Sequence, residues 1–160
     1  MKLHPEWLIL NRGINGERSD QIRARLQRDV IDAKPDYAII LAGVNDVYQG
    51  FPMDYTKQNL TLIYNPTLLE GIVPIAATIL PYNSMSTQAN VSITRLNEWI
   101  KSTAKSMKFP CCDTYAAVVD PDHSDKLRSS PDGFHPDVSG YQSMGEALVR
   151  TVEQNPPCLD

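Results

Sequence analysis

Short, nearly continuous apolar runs alternate along this chain with longer stretches in which apolar residues recur at helical spacing. The four runs, which we predict to be strands, cover residues 7–11, 37–41, 72–80 and 109–115. Apolar runs without polar alternation are typical of strands that are covered on both faces. The pattern therefore predicts an α/β domain in which helices surround a mostly parallel sheet.

The helical stretches have recognisable ends. The first begins at Ser19, which we interpret as its N-cap, and ends before Pro35. The second starts near Asp54, and Pro66 is expected to kink or divide it. The last starts at Asp137 and is expected to turn four apolar side chains inward, namely Tyr141, Met144, Leu148 and Val152.

Composition excludes several classes of protein. With 160 residues, of which 42% are hydrophobic and 21% charged, residues 1–160 are expected to form one domain. The basic residues are scattered and the net charge is −4, so we expect no nucleic-acid partner. The three cysteines lack the spacing of a metal site or a disulfide framework. Pro5 and Glu6 interrupt the first residues, so we expect neither a signal peptide nor a membrane span, and the compartment stays open.

Polar residues follow the predicted strands, and the loops at the carboxyl ends of parallel strands are where functional groups meet. Asp132 and His135 lie just before the last helix, so the carboxylate could hold the imidazole as a general base. The side-chain amide of Asn45 and the backbone N–H of Gly16 could stabilise an oxyanion. Taken singly, each of these residues is more often a turn or capping residue.

Three blocks, taken in order, are more specific than any single residue. Asn-Arg-Gly-Ile-Asn-Gly-Glu at 11–17, Gly-Val-Asn-Asp at 43–46 and Asp-Gly-Phe-His-Pro at 132–136 resemble the SGNH family of GDSL-type esterases and lipases. The resemblance covers about residues 7–152. It implies a flavodoxin-like, three-layer α/β/α fold, small-molecule ester or thioester substrates, and no metal or organic cofactor.

The same resemblance implies a role for each matched residue. Gly16 and Asn45 correspond to the oxyanion-hole donors of the family. Asp132 and His135 correspond to the acid and the base of its catalytic triad. Together, these four residues imply a carboxylic ester hydrolase that works through an acyl-enzyme.

The first block of the family, Gly-Asp-Ser with the nucleophilic serine, is absent from this sequence. Only 10 residues precede Asn11, whereas a strand-helix-strand unit takes roughly thirty. In the flavodoxin-like order, the missing strand lies between strands 7–11 and 37–41. Three explanations stand: an amino-terminally incomplete domain, which we favour; direct pairing of these two strands; or a strand donated by another chain, for example in a homodimer.

Four further hypotheses concern other side chains or another function. Ser84 and Ser86 are the internal serines nearest the expected site, although neither lies in a nucleophile motif. An inactive SGNH-like domain that binds an acylated or carbohydrate ligand or a partner chain is the alternative function. A metal-dependent phosphoesterase would use Asp46 with Asp132 and His135. Five residues could wall an apolar acyl pocket near the site, namely Tyr48, Phe51, Met53, Tyr55 and Tyr82.

Overall fold

The computed structural model describes His4 and residues 6–156. Its strands are β1 (Tyr37–Ile40), β2 (Val73–Ala77) and β3 (Cys111–Cys112). They form one parallel sheet in the order β1-β2-β3. The helices are α1 (Ser19–Ala24), α2 (Val44–Tyr48), α3 (Met53–Leu69), α4 (Thr87–Met107), α5 (Thr114–Val118) and α6 (Val138–Gln154), with a π-helical turn at Gln27–Ile31. None of these helices is both long and apolar enough to cross a bilayer.

The helices lie in two groups on the two faces of the sheet. Helices α3 and α4 pack on β2 and on each other, and α1 packs on α3. On the other side, α6 packs on β3 and on α5. This arrangement confirms the predicted three-layer α/β fold with a parallel sheet.

The core is much larger on the α3 and α4 side. Its fully buried apolar side chains there are Leu60, Ile63, Ile79, Ile93, Leu96 and Ile100. The separate core cluster under α5 and α6 contains only Val118, Leu127 and Met144 as buried residues. As a result, the second face of β1 is thinly covered, and Ile39 is 50% exposed although it lies inside a strand.

Two helix boundaries differ from the expectation. Helix α3 starts at Met53 and continues through Pro66 without dividing. Ser19 is the first residue of α1 rather than its N-cap, because Arg18 occupies that position.

Helix α6 confirms one expectation and contradicts another. Asp137 caps it as predicted, since its Oδ1 accepts a 2.8 Å hydrogen bond from the N–H of Gly140. Of the side chains expected to point inward, Met144 is buried but Tyr141 is 51% exposed. The buried stripe is narrow because α6 covers only β3 and α5.

The strand prediction at 109–115 is too long. Asp113 ends β3 after two residues, because its Oδ1 accepts a hydrogen bond from the N–H of Ala116 and so starts α5. The prediction of a strand at 7–11 is wrong. That segment has no strand partner in the described structure, and Leu8 and Ile9 are 86% and 78% exposed.

Segment 6–16 nevertheless runs alongside β1 in the same direction. At the start of β1, the Tyr37 hydroxyl donates to the carbonyl of Asn155 just after α6, and His4 contacts Glu153 in the last turn of α6. Beyond the end of β1, the Asn45 side chain donates to the carbonyl of Glu17. Direct pairing of this segment with β1, one of our three explanations, is therefore wrong for the described residues.

No described strand pairs with the second edge of β1, and we call the space between this free edge and segment 6–16 the open groove. Exposed apolar side chains occur on both sides of it: Leu8, Ile9 and Leu10 in the segment, and Ile39 and Leu41 in and after the strand. A central strand of a parallel sheet is normally covered on both faces and paired on both edges. In the described structure β1 is paired on one edge only, the edge that faces β2.

Candidate active site

Asp132 and His135 meet in the loop that precedes α6. The Nδ1 atom of His135 lies 2.7 Å from Oδ2 of Asp132. The other carboxylate oxygen accepts 2.8 Å hydrogen bonds from the backbone N–H groups of Phe134 and His135. One carboxylate therefore holds both the imidazole ring and the backbone that carries it.

These contacts determine the charge and the tautomer of the pair. The hydrogen bond from His135 and the two backbone N–H donors hold the pKa of the Asp132 carboxyl well below its usual range. A neutral His135 that donates from Nδ1 to this carboxylate has its lone pair on Nε2. No described residue forms a hydrogen bond with Nε2, and the His135 side chain is 53% exposed. The ring is arranged as a general base with its basic atom open.

Ser130, which the sequence analysis did not single out, supports the same loop. Its Oγ donates a 2.7 Å hydrogen bond to the carbonyl oxygen of His135 and lies 3.4 Å from Oδ1 of Asp132. The hydroxyl is therefore directed at the backbone and the carboxylate, not at Nε2. Ser130 positions the loop and is not placed as a nucleophile.

The two internal serines considered as nucleophiles also do not contact the ring. Ser84 lies in an exposed turn. The Ser86 hydroxyl caps α4 by accepting a 3.2 Å hydrogen bond from the N–H of Ala89. Cysteine does not replace them in β3, since burial raises the pKa of the Cys111 thiol to about 11 and leaves little thiolate at neutral pH.

Gly16 lies in a loop that is bonded to Asn45 in the first turn of α2. Gly16 has φ of +79° in an exposed turn, a conformation that favours glycine, and its N–H has no acceptor among the described residues. The Asn45 side chain donates one amide hydrogen to the carbonyl of Glu17, 2.9 Å away. Its second amide hydrogen has no partner in the part of the chain that the structure describes.

A half-buried guanidinium anchors the loop that carries Gly16. Arg25 forms ion pairs with Glu17 at 2.6 Å and with Asp29 at 2.7 Å, and it also donates to the carbonyl of Arg12. Side chains of Arg25, Glu17 and Asp29 are all less than a fifth exposed. Charged hydrogen bonds of this kind are stronger than neutral ones, so the loop has a defined shape.

Asp46 is not part of the site, contrary to the phosphoesterase hypothesis. Its carboxylate is fully buried and accepts hydrogen bonds from the N–H and hydroxyl of Ser19 and from the hydroxyl of Thr56. These partners lie in α1 and α3, away from Asp132 and His135. Among the described residues, no group of three His, Cys, Asp or Glu side chains could hold a metal ion.

The predicted acyl wall separates into two aromatic groups. Tyr48 and Tyr82 join Phe134, which we did not predict, with ring centroids 5.7 to 6.2 Å apart. Phe51 and Tyr55 form a separate stack at 5.5 Å, with the guanidinium of Arg18 above Phe51. The first group links α2, which also carries Asn45, to the loop of Asp132 and His135.

Comparisons with known proteins agree with this fold and these blocks. The model of the GDSL-like lipase/acylhydrolase family matches residues 2–143. An acetylxylan esterase of Geobacillus stearothermophilus is 24% identical over 90% of this chain and 71% of its own length. A lipoprotein of Bacillus subtilis, YqeF, is 37% identical over 46% of this chain and 32% of its own.

Solved structures extend the same comparison. A GDSL-like lipase from Bacteroides thetaiotaomicron superposes with a TM-score of 0.82 and 29% identity, covering 91% of this chain and 75% of the lipase. The structure of the Geobacillus esterase Axe2 superposes at 0.76 with 23% identity, covering 89% of this chain and 71% of Axe2. The family match spans well over half of the sequence and confirms the resemblance. The chain therefore belongs to the GDSL-like lipase/acylhydrolase family.

Proposed function

We propose that this chain supplies the base, its orienting acid and the oxyanion donors of a serine-type carboxylic ester hydrolase. The observation that carries the proposal is the 2.7 Å contact between His135 and Asp132, with Nε2 of His135 open to a substrate. In a member of a lipase and acylhydrolase family, a base of this kind serves ester cleavage.

The proposed chemistry assigns one role to each of these polar groups. Nε2 of His135 takes the proton of a serine hydroxyl as that oxygen attacks the ester carbonyl, and Asp132 stabilises the imidazolium. The N–H of Gly16 and the amide of Asn45 donate to the oxyanion, where a single donor is worth about 2.7–4 kcal/mol in other enzymes. His135 then protonates the leaving alcohol, and it later activates water to hydrolyse the acyl-enzyme.

The serine itself must come from a polypeptide segment outside these 160 residues, because the sequence contains no Gly-Asp-Ser. We place that segment in the open groove, as a strand parallel to β1 and paired with its free edge. Its carboxyl end would then lie near Gly16 and Asn45, which follow the two elements that border the groove. A second copy of this chain could cover the groove but could not supply the serine.

Two further points concern the ligand. The acetylxylan esterase among the relatives favours a short acyl group on a carbohydrate as the substrate. The alternative function is an inactive domain that binds such a ligand without cleaving it. The absence of Gly-Asp-Ser from the sequence is the observation in its favour.

The test compares three proteins. They are the chain alone, the chain with an added amino-terminal strand-helix unit ending its strand in Gly-Asp-Ser, and the same fusion with alanine in place of that serine. Each is treated with a fluorophosphonate probe and analysed by intact mass, and each is assayed with nitrophenyl acetate. We expect labelling and turnover only in the serine fusion, and His135→Ala in that fusion should lower turnover by several orders of magnitude.

Each other outcome contradicts a stated part of the proposal. Labelling and turnover by the chain alone would assign the nucleophile to an internal serine and remove the need for a docked strand. A folded serine fusion without label or turnover would contradict ester hydrolysis and favour the binding domain. Normal turnover by the His135→Ala fusion would remove this ring from the mechanism.

A further inference from the structure

Tyr48, Tyr82 and Phe134 form a small aromatic platform beside the candidate active site. We propose that this aromatic platform binds an uncharged pyranose ring, which is the alcohol part of a carbohydrate ester. The inference rests on the proposed function, because the sugar is the alcohol part of an ester only where the chain acts on esters. The binding itself requires no catalysis. The platform is defined from here on as these three rings.

The three rings come from α2, from the loop after β2 and from the loop before α6. Tyr48 ends α2, three residues after Asn45; Tyr82 follows β2; and Phe134 directly precedes His135. Tyr82 is only 8% exposed and its ring stacks on Phe134 at 23° between planes, so it supports the other two. Tyr48 and Phe134 are 59% and 44% exposed, and Tyr48 contacts both other rings edge to face.

The exposure of these rings favours a sugar over a long acyl chain. A long acyl chain is bound in an enclosed apolar cleft. A cavity beside Ala117 and Gly140, lined by none of the three rings, holds only about 20 Å³, which is about the size needed for one water. A pyranose instead has a C–H face that packs on an aromatic ring, and its hydroxyls stay in water.

A polar group with unused donors lies at the edge of the platform. The backbone N–H of Asn83 donates to the carbonyl of Gly133 at 2.7 Å, and its Oδ1 accepts from the N–H of Leu127 at 3.0 Å. These two bonds fix the side chain and leave its NH₂ group without an acceptor among the described residues. An amide held in this way can donate to a ring hydroxyl, which adds specificity to stacking.

The test is binding of xylotriose, an uncharged pyranose oligomer, to the ¹⁵N-labelled chain, followed by NMR and calorimetry. We expect saturable binding, with the largest shifts in residues 45–49, 81–84 and 132–135. Tyr48→Ala and Phe134→Ala should each weaken affinity about two- to tenfold, the range for one aromatic contact. Tyr55→Ala removes an exposed ring of the other aromatic group and should leave affinity unchanged.

The outcomes separate this inference from the proposed function. His135→Ala should bind xylotriose like the original chain, since the ring acts in catalysis only. Binding without turnover in the serine fusion would support the platform and contradict the hydrolase. Turnover without saturable xylotriose binding, equal losses in Tyr55→Ala and Tyr48→Ala, or preferential binding of hexanoate would each overturn the platform.

Discussion

The Asp132 carboxylate accepts three hydrogen bonds, and all of them favour its charged form. Because they lower its pKa, the contact with His135 is present at and above neutral pH. It is lost only when the pH falls through that lowered pKa. We expect the ¹³C signal of the Asp132 carboxyl to stay unchanged from pH 7 to about 4, where ordinary aspartates titrate.

The control for this titration is His135→Ala. It removes the side-chain bond, which is the largest cause of the shift, and keeps the backbone donors. The midpoint of Asp132 should therefore move upward. If the original chain and the variant titrate alike, the contact between the two side chains is not formed in solution.

Gly43 is required by both conformation and space. It has φ of +116°, and a Cβ atom there would lie 2.9 Å from Cδ2 of Leu96. Gly43→Ala should lower the free energy of unfolding by about 1–3 kcal/mol, measured by urea denaturation. Gly145→Ala is the matched control, since it lies within α6 with open space around it and should be neutral or stabilising. Equal effects of the two changes would contradict this account.

At the residue scale, the sequence predicted contacts that depend on short spacing. Asp132 and His135 lie three residues apart, and the structure joins them directly. The sequence did not predict the roles of Ser130 and Phe134, because these roles depend on the path of an irregular loop. Residue type and spacing do not define that path, since Ser and Phe occur equally in loops that have no function.

At the scale of elements, Asp46 connects three helices. It lies in α2, accepts two hydrogen bonds from Ser19 in α1 and one from Thr56 in α3, and is fully buried. Asp46→Asn replaces one acceptor oxygen by an NH₂ group, so a buried donor loses its partner. We expect the free energy of unfolding to fall by about 1–3 kcal/mol.

Hydrogen exchange measures whether this loss is local. The N–H of Ser19 should exchange faster in Asp46→Asn, because α1 loses its anchor. Asp54→Asn, at an exposed position in the first turn of α3, should change stability by a few tenths of a kcal/mol at most. Unchanged protection of Ser19 would mean that other contacts hold α1 in place.

The sequence predicted which segments are helices and strands better than it predicted the residues at which they begin and end. The runs at 37–41 and 72–80 contain β1 and β2, and the last helix follows Asp137 as predicted. The run at 7–11 has the same apolar character as β1 but forms no strand. A strand is stabilised by hydrogen bonds to a neighbour, and apolar character does not reveal whether that neighbour is present.

At the scale of the whole molecule, the open groove exposes a free strand edge with apolar side chains, a surface that favours association between chains. We expect the isolated chain to self-associate as its concentration rises, measured by sedimentation velocity. Ile39→Lys should reduce association, because a charge at a strand edge disfavours pairing. Leu69→Lys, at an 85% exposed site at the end of α3, should not. Equal association by both variants would place the contact elsewhere.

A free edge on β1 was predictable, because the sequence lacks the block expected to precede residues 11–17. The course of segment 6–16 beside that edge was not. Contacts of His4 with Glu153 before the segment and of Asn45 with Glu17 after it hold segment 6–16 at both ends, so it keeps its course instead of moving onto β1. Such contacts join residues that lie far apart in the chain, so no local sequence pattern predicts them.

Under the proposed function, the open groove would make this chain one half of a split reporter. This half would supply the base and the oxyanion donors, while the other would bring the nucleophile on a strand that pairs with β1. Neither half would hydrolyse an ester alone, so colour from a nitrophenyl substrate would show that the two had met. A protein fused to the serine-bearing strand could then be detected through its proximity to this chain. Hydrolysis would report that the strand had paired with the edge of β1.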